Sequence, residues 1–389
     1  MEQDNETFLI KKYFKKGFYY DEIRDMLENV HDIKMCKRTL QRKLSDLNLK
    51  RKNLKESSKE EIVRAIVHEL YSAGFNLGYK SLWHKLVVQH VLIVRRDTVY
   101  KYLKIADPEG MANRYGNRLQ RRQYINNGPN WCLHLDGYDK LLQFGFGIHG
   151  GVNGHSRLIL WLEAASTNKD PKVVAYYFLN TVKRLKLLAN LVRTDAGTEN
   201  VMVESLQIAL RSKHEDQFAG SKSFIQGKST ANQRIESYWG RMRKHTADFY
   251  IQLFKSMREK QLFNDSPLHI KTLQFRFGPV IQYDLDMTKE LWNTHNIRKQ
   301  PGRTNIVCGK PEILYFLPER NKAVDYKKEV DVNVIEKLMD QYTTKPQLID
   351  PKFKELVELI LPNYTTPKTP EEALNLYKSI LHEIKIRKE

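Results

Sequence analysis

The stretch Trp131-Cys-Leu-His-Leu-Asp136-Gly-Tyr-Asp139-Lys140 is an apolar run that carries one carboxylate, Asp136, to its end before a glycine. A short apolar run closed in this way reads as a buried strand with its acidic residue at the tip. The same pattern returns in Leu191-Val-Arg-Thr-Asp195-Ala-Gly-Thr198, a second short strand that ends in an aspartate. A third carboxylate, Glu236, lies in Asn232-Gln-Arg-Ile-Glu236-Ser-Tyr-Trp239, which has the spacing of an amphipathic helix. Two strand-end aspartates and one helix glutamate can converge on one point.

Around these residues the period is that of an α/β domain. Trp131 to Asp136, Gln143 to Val152 and Ser156 to Ala164 read as three consecutive strands, and the glycines of the second (Gly145, Gly147, Gly150, Gly151) predict a meander with tight turns. Asp170-Pro171 is an N-cap followed by proline at the first helical position. It opens a helix with an apolar stripe of Val174, Phe178, Thr181, Leu185 and Leu188. A strand at Leu191 to Thr194 and a helix from Glu199 to Leu210 follow. The polar, glycine-containing loop from Ser212 to Thr230 reads as a mobile flap. This order predicts an α/β fold with a ribonuclease H-like mixed sheet flanked by helices.

The N-terminal third is different in kind. Residues 1 to 125 hold 26 Lys and Arg against 16 Asp and Glu, which is +10 of the chain's net +19. Such charge calls for a polyanionic partner, most simply nucleic acid, and the partner expected for the chain as a whole is double-stranded DNA. Ile10, Tyr13, Phe14 and Phe18 have helical spacing, Asp21 to Leu27 reads as a second helix and Lys37 to Leu47 as a third. In the third, Leu40, Leu44 and Leu47 form the inner stripe, and Lys37, Arg38, Gln41 and Arg42 face outward, as in a helix-turn-helix that reads a major groove. The plan repeats after a polar linker at Arg51 to Lys59. Ile62, Ile66 and Leu70, then Leu82, Leu86 and Val87, support a helix from Arg95 to Leu103 with Arg95, Arg96 and Lys101 outward. A break at Asp107-Pro-Glu-Gly110 and a basic run from Arg114 to Arg122 read as a linker along phosphates. The expected domains are 1–56, 57–112, a basic linker 113–129, a catalytic core 130–318 and a small helical tail 319–389. The tail has helix openings at Asp350-Pro351 and Thr369-Pro370-Glu371-Glu372 but no chemical motif.

Only three cysteines occur, Cys36, Cys132 and Cys308, with no Cys-x-x-Cys pair, which argues against a zinc module or a disulfide framework. No apolar run approaches the ~18 residues of a membrane span, and no signal peptide is read, so no membrane partner is expected.

Taken together, His134-Leu-Asp136-Gly, Arg193-Thr-Asp195-Ala-Gly-Thr-Glu199-Asn and Asn232-Gln-Arg-Ile-Glu236 resemble the DDE integrase and transposase superfamily. The run from about Trp131 to Leu317, with Trp292-Asn-Thr-His295-Asn-Ile-Arg298 and Pro311-Glu-Ile-Leu-Tyr315, looks like an integrase core domain of eukaryotic genes of transposon origin. The resemblance implies phosphodiester cleavage by metal-activated water, then attack of a DNA 3′-hydroxyl on a target strand. It implies two Mg²⁺ (or Mn²⁺) ions on Asp136, Asp195 and Glu236, a homo-oligomer on DNA ends, and a nuclear location. Hard oxygen donors suit these ions, and a pair can hold both apical oxygens of an in-line displacement. The chain departs from retroviral members in lacking their His/His/Cys/Cys module and in the 40 residues between Asp195 and Glu236.

Gln233, Gly240, Arg243 and Lys244 share the helical face of Glu236, which makes Gln233, Arg243 and Lys244 expected DNA contacts. Asp139 and Glu199 are the rivals of Asp136 and Asp195. His134, His149 and His155 read as structural, and Trp161, Trp239 and Trp292 as packing residues. Two alternative functions stand beside the enzyme: a catalytically silent, domesticated DNA-binding protein, and a nuclease of this fold without strand transfer.

Overall fold

The computed structural model describes residues 2–49, 56–72, 74, 77–113, 124, 126–299 and 307–387. Two compact units share the chain, one holding residues 1–129, 155–158 and 290–325, the other 130–154, 159–289 and 326–389.

The chain begins with two sets of three helices. The first comprises α1 (Glu2–Lys15), α2 (Tyr20–His31) and α3 (Lys37–Asp46). They close over Leu9, Ile10, Tyr13, Phe18, Ile23, Met26, Leu27, Leu40 and Leu44. Cys36 is the N-cap of α3 and makes no side-chain capping bond, a place where a serine would serve better. The second set is α4 (Lys59–Leu70), α5 (Tyr79–Val88) and α6 (Arg96–Ala106). Ile62, Ile66, Leu77, Leu82, Leu86, Val94, Val99 and Leu103 form its core. A capping box between Ser58 and Glu61 opens α4. The expected break at Asp107 to Gly110 is instead a short helix, α7 (Pro108–Asn113). Asp107 Oδ1 accepts from the Gly110 N–H at 2.9 Å, and proline is tolerated in a first turn, where its missing N–H has no partner to lose. The basic run Arg114 to Arg122 lies outside the described residues, as does most of the Arg51 to Lys59 linker.

In the second unit β1 (Cys132–Tyr138), β2 (Gly147–Asn153) and β3 (Ile159–Ala165) form an antiparallel meander. Then come α8 (Pro171–Leu185), β4 (Leu187–Leu188), β5 (Leu191–Asp195), α9 (Val201–Arg211), β6 (Phe224–Gly227), α10 (Gln233–Met242), α11 (Asp248–Glu259) and α12 (Pro267–Thr294). The sheet order is β3-β2-β1-β5-β6, with β5 parallel to both β1 and β6. This is the ribonuclease H-like mixed sheet. Its core sets Leu133, Leu135 and Val192 of the strands against Val174, Phe178 and Val182 of α8 and Val203 and Leu206 of α9.

Four details differ from the sequence reading. Asp136 is not at a strand tip, because β1 runs on through Gly137 to Tyr138, paired with His149 and Ile148 of β2. The glycine run does give a meander, with Gly145 at φ 86 in the turn before β2, but the glycines inside β2 serve packing: a Cβ on Gly150 would stand 2.8 Å from the Trp239 ring, and one on Gly151 would strike Trp161. Leu188 is in β4, not α8, because Lys186 at φ 54 ends the helix. The Ser212 to Thr230 loop is tied down, since it contains β6, and buried Arg211 holds Asp216 at 2.7 Å.

The chain closes with α13 (Pro311–Phe316), which adds Ile313 to the first helical core, β7 (Lys328–Glu329), paired with β4, and α14 (Val332–Tyr342), α15 (Pro351–Ile360) and α16 (Pro370–Ile386). The last three belong to the sheet's unit. Ile335 of α14 joins the sheet core, while Phe353, Val357, Ile380 and Ile384 pack with Phe275 of α12. Among the described residues no helix is long and apolar enough to cross a membrane.

Candidate active site

β1 and β5 run parallel with His134 opposite Arg193. Asp136 and Asp195 each lie two residues beyond that pair, so both leave the same face, on neighbouring strands about 4.8 Å apart. Glu236 comes from α10, whose start is fastened to β1 by Asn232. The Asn232 amide donates to the Leu135 carbonyl at 2.7 Å, and its Oδ1 accepts from His134 Nδ1 at 2.7 Å. Asn232 precedes α10 yet makes no side-chain cap, because both its polar atoms serve this clamp. One turn beyond Glu236, Trp239 Nε1 donates to Asp136 Oδ2 at 2.7 Å. Clamp and indole together fix where Glu236 stands relative to Asp136.

Asp136 feels the charge of both other carboxylates, and Glu236 that of Asp195. Asp136 is 8 % exposed, and its carboxyl is pushed up to about 7, first by burial and further by Asp195 and Glu236, against the opposing bond from Trp239. Glu236 is also raised, by burial and by Asp195. Asp195 Oδ1 accepts from the Asn200 amide at 3.3 Å. Among the described residues, the trio of ligand atoms that closes within 4.8 Å is His68, Glu69 and His90, so the carboxylates are spread more widely than a cage for one ion. Oxygen donors of this kind are those that divalent ions would take. The donor set fits them: three hard oxygen ligands, one held buried where a cation would relieve its charge.

Sequence reasoning missed three contributors. Trp239 is a hydrogen-bond donor to the site as well as a packing residue; its place three residues after Glu236 on a helix was the available signal. Lys169 forms an ion pair with Asp139 at 2.8 Å. Burial would lower this ammonium, but Asp139, Glu199 and Asp195 overcome that and raise it, so one cation faces the acidic cluster. Asn168 donates to Asp139 at 2.7 Å and to the Ile148 carbonyl at 3.1 Å. Asp139 is thereby partnered away from the trio: burial raises it, yet Lys169 and Asn168 hold it below the usual carboxylate range. Glu199 is buried in the 3₁₀ turn Thr198–Asn200 that precedes α9. His134 is a structural residue, pushed down to about 3 by burial and so neutral. His149 is buried to the same effect, accepting from Trp161 Nε1 at 3.1 Å.

The expected DNA contacts fall in separate places. Lys37, Arg38, Gln41 and Arg42 are exposed on α3, with Lys37 3.2 Å from Asp21. Arg95, Arg96 and Lys101 are exposed on α6, and Arg96 stacks over Trp83 at 4.1 Å. On α10 Gln233 is half-buried. Arg243 is exposed but drawn to Asp248 at 2.7 Å, and a π-helical turn begins there, so the α-helical spacing that carries Lys244 onto the face of Glu236 stops one residue short.

A five-stranded mixed sheet with acidic residues on the neighbouring strands β1 and β5 and on α10 is a ribonuclease H-like core. Residues 123–314 match the family described as an integrase core domain. That stretch belongs to the retroviral-integrase-like DDE superfamily. A search of curated proteins finds no match.

Proposed function

We propose that this protein is a DDE-type polynucleotidyl transferase that cuts and rejoins DNA strands. The observation that carries the reading is that three carboxylates from three elements of an integrase core domain act on one another's surroundings: Asp195 and Glu236 both help raise Asp136, and Asp195 helps raise Glu236. Asp136, Asp195 and Glu236 would hold two Mg²⁺ or Mn²⁺ ions, which when bound neutralise charge on the attacking and leaving oxygens of the phosphodiester. The protein's own part is positioning. Trp239 fixes the Asp136 carboxylate, the Asn232 clamp fixes α10, and Lys169 supplies a cation that can bind a neighbouring phosphate oxygen. In this reading α3 and α6 are the recognition helices of two helix-turn-helix modules, their exposed Arg38, Gln41, Arg42, Arg95 and Lys101 turned to duplex DNA. A net charge of +19 supports binding to a polyanion. Strand transfer on paired ends calls for a homo-oligomer, and a DNA substrate for a nuclear location.

The test is cleavage and joining of supercoiled plasmid and of selected linear ends in Mg²⁺ or Mn²⁺, with Asp136→Asn and Glu236→Gln as comparisons. Nicked and joined products from wild type alone support the reading; cleavage without joining reduces it to a nuclease. Equal DNA binding by all three proteins with no cleavage on either substrate overturns it.

A further inference from the structure

The last turn of α4 and the turn after α5 bring three ligand-type side chains to one point. Glu69 is 2 % exposed, an unusual place for a carboxylate. Its Oε2 is held by Lys85 Nζ at 2.6 Å. Its Oε1 stands 2.7 Å from His90 Nε2 and 3.9 Å from His68 Nδ1. The two imidazoles meet edge to face, with centroids 5.8 Å apart, and the three donor atoms all lie within 4.8 Å of one another.

We propose that His68, Glu69 and His90 form a transition-metal site, suited to Zn²⁺, that ties the end of α4 to the turn following α5.

A simple ion-pair cluster explains Lys85 and His90 but not His68, whose exposed ring turns Nδ1 toward the same oxygen from beyond hydrogen-bond range. Four-coordinate Zn²⁺ with ligands at about 2.0–2.1 Å requires donor spacings near 3.3 Å. The 2.7 and 3.9 Å spacings straddle that value, so a small widening on one side and a small closing on the other complete the geometry. Lys85 occupies Oε2 and leaves Oε1 alone to face the imidazoles, which makes Glu69 a monodentate ligand. Burial raises this carboxyl, but hydrogen bonds from His90 and Lys85 outweigh it and keep the ligand anionic. Two borderline imidazole donors beside one hard carboxylate favour Zn²⁺ or Co²⁺ over Mg²⁺, and this chemistry separates the site from the all-carboxylate trio of the sheet. A metal here would brace the α4–α5 connection, and through it the core that Val99 and Leu103 of α6 share with both helices.

Titration of the full chain with Co²⁺, followed through its visible absorption, tests the proposal. Wild type and Glu236→Gln should both develop one equivalent of tetrahedral-type bands, displaced by Zn²⁺ and unaffected by excess Mg²⁺. His68→Ala should bind about tenfold or more weakly. Its side chain is 57 % exposed and the Glu69–Lys85 pair remains, so this variant keeps its fold; His90→Ala provides a second ligand deletion. Absence of the bands in wild type, or bands unchanged in His68→Ala, overturns the proposal.

Discussion

Asp136→Asn should stabilise the metal-free protein at neutral pH, contrary to the usual effect of changing a buried polar residue. The carboxyl rises from its ordinary 3.8 to about 7 in the fold. A displacement of about three pH units at ~1.4 kcal/mol each amounts to about 4 kcal/mol, as an upper bound. The sign follows from which state holds the proton. Below pH 3.8 the group is protonated folded and unfolded, and its contribution to stability is fully present; it is lost as pH rises through 7, where the folded protein must either bury the charge or keep the proton. Asparagine does not titrate, and its amide oxygen can still accept from Trp239. The advantage of the variant should therefore be about 1–2 kcal/mol at pH 5 and grow by a further 2–3 kcal/mol by pH 8. Urea unfolding in EDTA at the two pH values, wild type beside variant, reads this difference, since titrations of groups away from the carboxylate trio cancel between them. A variant less stable than wild type by the same amount at both pH values would refute the assigned electrostatics.

Other outcomes follow from the same geometry. Gly150→Ala drives a methyl into the Trp239 ring and should cost about 1–3 kcal/mol, whereas Gly240→Ala, on an open helical position with nothing within 4 Å, should gain up to ~1 kcal/mol; urea midpoints at equal slope decide both. Asn232→Ala leaves the buried His134 N–H and the Leu135 carbonyl without these partners and should lose about 2–4 kcal/mol by the same measurement. Arg38→Ala with Arg42→Ala should weaken duplex binding and reduce the slope of log affinity against log salt by about 2, measured by fluorescence anisotropy.

What the sequence made legible was whatever local pattern controls. The apolar runs of β1 and β5, the Asp170-Pro171 opening of α8 and the outward basic residues of α3 and α6 each follow from spacing alone, and the structure has them as strand, helix start and exposed face. The misreadings arise where distant residues decide. Gly137 resembles a turn, but pairing with His149 carries β1 through it. The glycines of β2 resemble turns because nothing local announces that Trp161 and Trp239 need their space. Phe224-Ile-Gln-Gly227 has too few apolar residues to stand out in a polar loop, and parallel pairing with Val192 to Asp195 makes it a strand. At the site the carboxylates were visible as motifs, while Lys169 and Asn168, in a polar loop after β3, acquire their meaning only when the fold brings that loop to Asp139 and Asp195.

Asp136, Asp195 and Glu236 are proposed to hold two divalent ions together. Mn²⁺ titration at pH 8, followed by electron paramagnetic resonance of the free ion, tests it most directly. Wild type should bind about two ions, and Asp195→Asn and Glu236→Gln should each lose at least one or weaken both. Unchanged stoichiometry and affinity in both variants would contradict the account.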